Sequence, residues 1–176
     1  MAQTLINNLS YSTLDATKLS GNLPSISGAS LTGIDAGKIG QVVSTNVSAV
    51  DVTTTASTFN DISGLAVAIT PTATSSKILI VVNAGMGNGT QTSNNYIRIA
   101  RSVGGSNTYI ARGGSVNSNE TGSMYWRVDQ GGQDDYNVHQ EAVNFLDTPS
   151  TTSEITYKMQ WGTNAGTLYL NRAGDL

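Results

Sequence analysis

The chain reads as all-β: an antiparallel β-sandwich head, jelly-roll-like, preceded by an extended N-terminal stalk. Three observations predict this. From Gln41 onward, short runs of β-branched, aromatic and aliphatic residues alternate with clusters of Gly, Asn, Ser and Pro, the pattern of strands joined by turns. In that same region no segment carries a sustained helical period of apolar residues. Before it, Leu14-Asp15-Ala16-Thr17-Lys18-Leu19-Ser20-Gly21 returns as Ile34-Asp35-Ala36-Gly37-Lys38-Ile39-Gly40, a repeat too short to bury its apolar side chains within one copy.

Strands are expected over residues 41–47, 58–62, 65–70, 77–84, 96–101, 108–112, 124–129, 138–146, 154–161 and 167–171. In Ile155-Thr156-Tyr157-Lys158-Met159-Gln160-Trp161, strict alternation puts Ile155, Tyr157, Met159 and Trp161 on one face and Thr156, Lys158 and Gln160 on the other, as in a half-buried antiparallel strand. Lys77-Ile78-Leu79-Ile80-Val81-Val82 is nearly continuous in apolar character, which predicts a central strand covered on both sides. Many short strands at this spacing imply a sandwich or jelly roll.

The N-terminal segment follows neither period. Its apolar residues fall at Leu14, Leu19, Leu23, Ile26, Leu31, Ile34 and Ile39, separated by Ser, Gly, Thr and Pro24. Ordering such a segment costs a lone chain about 1 to 2 kcal/mol per residue in backbone entropy, which a few buried aliphatics do not offset. Three chains wound together would bury all seven along one axis, so residues 1–38 are expected to form an attachment and trimerisation segment and residues 39–176 the head. Asp15 and Asp35 then mark register in an intertwined stalk.

Composition excludes several classes. Charged residues make up 12% of the chain, about half the usual share, while Ser, Thr and Asn supply roughly a third. The net charge is -3 and the five arginines are scattered, so a nucleic-acid partner, which needs concentrated positive charge, is not expected. No run approaches the length of a membrane span, and Met1-Ala2-Gln3-Thr4 lacks the basic and apolar regions of a signal peptide. Cytoplasmic synthesis without membrane insertion is the expectation. With no cysteine, stability must come from packing or assembly.

The run from Thr17 to Lys38, Thr-Lys-Leu-Ser-Gly-Asn-Leu-Pro-Ser-Ile-Ser-Gly-Ala-Ser-Leu-Thr-Gly-Ile-Asp-Ala-Gly-Lys, resembles the repeat of tail-fibre and related fibre proteins of tailed bacteriophages. Gly64-Leu65-Ala66-Val67-Ala68-Ile69-Thr70-Pro71, Lys77-Ile78-Leu79-Ile80 and Phe145-Leu146-Asp147-Thr148-Pro149 resemble the β-rich head that follows such repeats. The resemblance implies a homotrimeric virion appendage. Its N-terminal segment would bind other virion proteins, and its head would face a host cell-surface glycan or protein. It also implies a loop and a final strand past Leu168-Tyr169-Leu170-Asn171-Arg172, so that strand is expected to be missing or supplied by a neighbouring subunit. Mounting on the tail or on the capsid, as a head fibre or decoration protein, fits the same parts.

Catalysis finds little support in the residues. His139 is the sole histidine and there is no cysteine, whereas zinc and iron sites take several such ligands; no metal or other cofactor is expected. His139 alternates with Glu141, Val143 and Phe145 and reads as a partly buried strand residue rather than a general base. A polysaccharide-degrading fibre would need two carboxylates about 5 to 10 Å apart, with Asp129, Asp134, Asp135 and Glu141 as candidates. The stretch Asp129-Gln130-Gly131-Gly132-Gln133-Asp134-Asp135 has the makeup of an exposed hairpin loop instead. Gly85-Met86-Gly87-Asn88-Gly89 has Thr90 where a phosphate-binding turn has its sixth-position glycine, no helix pattern follows, and the segment reads as a loop. Ser115 misses the nucleophile-elbow pattern.

Recognition by surface side chains remains. Tyr96, Tyr109, Tyr125, Trp126 and Tyr136 lie in or beside the Gly/Asn-rich connections, most of them expected in the core or at subunit contacts. Tyr136, beside Asp134 and Asp135, is the expected receptor-binding residue, because it adjoins a polar loop rather than an apolar run. Modest affinity per site suffices when a trimer is repeated around a particle.

Overall fold

The computed structural model describes residues 39–49, 51–90, 92–113, 123–128 and 137–174. The chain divides into two units, Met1–Gly40 and Gln41–Leu176. Of the first, only Ile39 and Gly40 are among the described residues. Leu14, Leu19, Leu23, Ile26, Leu31 and Ile34 lie outside them, and Ile39 is 81% exposed.

The second unit is all-β, with no helix among its described residues. Its strands are β1 (Thr53–Thr54), β2 (Asn60–Ile69), β3 (Ile78–Asn88), β4 (Ser93–Val103), β5 (Ser106–Ile110), β6 (Met124–Val128), β7 (His139–Asp147), β8 (Ile155–Thr163) and β9 (Leu168–Leu170). Sheet A has the order β1-β9-β3-β7, and sheet B the order β2-β8-β4-β5 with β6 also paired to β4. Every pairing is antiparallel.

The sheets pack face to face because each presents alternate apolar residues inward. Met86, Leu168 and Leu170 of sheet A meet Ile62, Ile97, Met159 and Trp161 of sheet B in one cluster. In a second, Ile78, Ile80, Val143 and Phe145 of sheet A meet Ile99, Ile155 and Tyr157 of sheet B. The β8 alternation holds as read: Ile155, Tyr157, Met159 and Trp161 are all buried. A polar clamp also spans the layers. Arg101 on β4 donates to both carboxylate oxygens of Asp147 on β7, at 2.8 and 3.0 Å, and the Tyr157 hydroxyl on β8 donates to the same carboxylate at 2.6 Å. Burial, then the bond to Asp147, pushes the Tyr157 hydroxyl pKa well above its ordinary value.

The structure departs from the sequence reading at five points. Residues 41–47 form no strand. They run as irregular chain tied down by Thr45 Oγ1 donating to the Gly64 carbonyl and Asn171 Nδ2 donating to the Val47 carbonyl. The expected strands 58–62 and 65–70 are one strand, β2, whose pairing with β8 slips between Asp61 and Ala66. Gly64 makes that bulge with φ +83°, and a Cβ there would stand 2.7 Å from Val47 Cγ2, so glycine is required twice over. The expected loop 85–89 is instead the end of β3. There, a Cβ on Gly87 would stand 2.5 Å from the Arg172 carbonyl, because the C-terminal backbone lies directly against the strand. Thr53–Thr54 is a strand too short to announce itself by periodicity.

The fifth departure concerns β3, which is central but, among the described residues, is covered on one face only. Ile78, Ile80 and Val82 point into the core, whereas Leu79 is 65% and Val81 69% exposed.

Candidate functional faces

Alternation along the strands gives each sheet a second, outward face, and the two faces differ chemically. On sheet A, Leu79 pairs with Leu146, Val81 with Asn144 and Asn83 with Ala142. Leu146 is 54% exposed, and Val138, just before β7, 40%. These residues carry no charge, and large aliphatics lie side by side on a surface of two neighbouring strands. Isolated surface aliphatics are ordinary, but a contiguous group on a flat sheet marks an interaction surface. The edge strand β7 pairs with β3 in unbroken register over nine residues, His139 to Asp147, with neither Pro nor Lys to blunt it.

On sheet B the outward side chains are aromatic and polar. Tyr96 of β4 faces Tyr125 of β6, their rings 5.9 Å apart and 29° from parallel. Phe59 packs on Tyr96 at 6.0 Å. The Arg98 guanidinium lies between two rings, 4.0 Å from the Phe59 centroid and 3.6 Å from that of Tyr109, close enough for strong attraction to both π faces. Arg98 Nε donates to Gln160 Oε1 at 2.7 Å, Gln160 Nε2 to Asp61 Oδ1 at 2.6 Å, and Lys158 Nζ to Asp61 Oδ2 at 3.1 Å. The bond from Gln160, aided by Lys158, holds the Asp61 carboxyl below its ordinary value, while partial burial between the rings lowers the pKa of Arg98. At the edge of this array Tyr125 donates to Asn94 Oδ1 at 2.9 Å and stays 46% exposed; Tyr109 is 37% exposed.

The expected receptor-binding residues, Tyr136, Asp134 and Asp135, lie outside the described residues. Tyr96, Tyr109 and Tyr125 sit in β4, β5 and β6, within the strands expected over 96–101, 108–112 and 124–129, and β4 brings them together. The signal was present in Tyr96-Ile97-Arg98, whose alternation sends Tyr96 and Arg98 to one side and Ile97 to the core. Phe59, far from β4 in sequence, was not foreseeable as a partner of Arg98.

Other candidate sites carry less chemistry. A cavity of about 250 Å³ beside residues 45–47 is lined by residues such as Leu65, Asn83 and Asn171, and no titratable side chain faces it. Among the described residues no group of three or more His, Cys, Asp or Glu could hold a metal ion. Glu141 and His139 share the inward face of β7, both partly buried. Burial raises the Glu141 carboxyl above its ordinary value, an effect the His139 charge opposes.

Compared with known protein families, curated proteins and solved structures, the chain matches none.

Proposed function

We propose that this chain is a structural and adhesive virion protein, a trimeric fibre whose residues 1–38 mount it on the particle and whose β-rich head meets the host surface. The single observation that carries the assembly is the uncovered aliphatic face of sheet A, where Leu79, Val81 and Leu146 stand exposed on neighbouring strands. In a chain with no cysteine and 12% charged residues, the same uncharged face on two further copies is its natural cover. Strand order supports the jelly-roll reading, because the chain crosses between the sheets at every step except β4-β5-β6 and β9 returns between β1 and β3. The resemblance of residues 17–38 to fibre repeats supports a virion setting; the seven widely spaced aliphatics from Leu14 to Ile39 close the stalk only once the head faces have brought three chains together. The head's work in this reading is binding, not turnover.

Sedimentation equilibrium tests the trimer: three chains per particle is the expected mass, and a monomer throughout the micromolar range overturns it. Gold labelling on intact virions separates tail from capsid mounting, and no label on either removes the virion role.

A further inference from the structure

The outward face of sheet B is a surface of a different kind from that of sheet A, and we infer that it is a carbohydrate-binding face, with Tyr125 as its stacking platform. This rests on the adhesive reading above and names the ligand class and the place. Three observations carry it. Aromatic rings and hydrogen-bonding groups are interleaved on one flat sheet. Tyr125 rests on Tyr96 and is 46% exposed, Tyr109 is the next exposed tyrosine along the same side of β4, and Arg98 packs on Tyr109. Gln160 and Asp61 continue the polar row across β8 and β2. A sugar ring has an apolar face of C–H groups and an equatorial belt of hydroxyls, so it asks for a ring beneath and donors and acceptors around it, the same mixed chemistry that sites for polar ligands use.

The side chains are also held before any ligand arrives. Arg98 is fixed by two rings and one hydrogen bond, Gln160 and Asp61 by each other, and the Tyr125 hydroxyl by Asn94. Fixing them in advance reduces the side-chain entropy lost on binding. Finally, the rest of this face is short: Ala66, Ala68, Ala100 and Ser102 supply no large aliphatic anchor, unlike the Leu and Val side chains of sheet A. Short neighbours leave a sugar ring room to lie against the exposed tyrosines, and the periodate arm of the test separates a glycan from a protein partner that the same Tyr and Arg side chains would anchor.

The test uses the full chain against an array of oligosaccharides from bacterial surface polysaccharides, neutral and acidic, with the oligomeric state of each sample measured alongside. Binding to at least one glycan is expected, reduced about tenfold or more in Tyr125→Ala and kept within about threefold in Tyr125→Phe, which preserves the ring. Ring-proton shifts of tyrosines in the unaltered protein on adding the bound glycan provide a reading free of any folding defect. No binding to any arrayed glycan, or binding that moves no tyrosine ring, overturns the inference. So does attachment to host cells that survives periodate oxidation of their glycans, which would point to a protein partner. A monomer that binds glycan through Tyr125 would keep this inference and sink the trimer, whereas a trimer that binds none would do the reverse.

Discussion

The outward faces of sheets A and B have the same pleat and the same strand spacing, yet one ends in Leu79, Val81 and Leu146 and the other in Tyr125, Tyr109 and Arg98. The sheet A side chains are largely exposed in the single chain, and a covering copy would remove apolar surface from water. The sheet B side chains are already engaged with one another through ring stacking, two cation–π contacts and a chain of hydrogen bonds. Unsatisfied apolar surface drives association with like surface, whereas a self-satisfied polar and aromatic surface is ready for a small, hydrated ligand. The difference lies chiefly in side chains, since both sheets are antiparallel throughout and only β2 of sheet B is interrupted, by the bulge at Gly64.

The largest effect should come from breaking the apolar side of this comparison. Leu79→Lys with Val81→Lys is expected to dissociate the proposed trimer, and the head should then lose only the concentration-dependent stabilisation its neighbours supplied, because both side chains are solvent-exposed in one chain. Analytical ultracentrifugation and circular dichroism read the two halves; a trimer that survives both substitutions places its interface elsewhere.

Next comes the clamp that holds the two layers together. Asp147→Ala leaves the Arg101 guanidinium and the Tyr157 hydroxyl without their shared acceptor and should cost about 3 kcal/mol in denaturant unfolding. A loss below about 1 kcal/mol would show the clamp to be incidental.

The sheet B array should respond more gently. Arg98→Ala removes both ring contacts and the bond to Gln160, an expected loss of about 1 to 2 kcal/mol. Lys158→Ala breaks a pair whose side chains are 29% and 49% exposed, and it should change stability by less than about 1 kcal/mol. If the order of these two were reversed, the rings would not be what holds Arg98.

The smallest effect is a pH dependence of opposite sign at two carboxyls. Asp61 has a lowered folded pKa, so its contribution is present above its unfolded value and fades as pH falls through the folded one. Glu141 has a raised folded pKa. Its folded state binds the proton more tightly than the unfolded chain, so stability is highest in acid and declines as pH rises from the ordinary glutamate value through the raised one. Glu141→Gln should flatten that decline in thermal unfolding followed between acid and neutral pH, and an unchanged profile would assign the decline to another group.

Much of the head was legible in the sequence because its alternation is strong where one face is buried, as in Ile155-Thr156-Tyr157-Lys158-Met159. What was not legible had one cause, contacts between residues far apart in the chain. Val81 and Leu79 look like core residues by composition, and only their outward position on β3, with no covering layer among the described residues, reveals them as surface. Gly87 looks like a loop residue until the C-terminal backbone is seen against it. The pairing of Phe59 with Arg98 joins β4 to the residue just before β2, which no local pattern encodes.

The account stands on the sheet A face being an assembly surface. The most direct measurement is the mass of the unmodified chain by sedimentation equilibrium over a wide range of micromolar concentrations, compared with the Leu79→Lys, Val81→Lys double variant under the same conditions. Three chains for the first and one for the second is the predicted result; a unmodified chain that stays monomeric, or a double variant that stays trimeric, contradicts it.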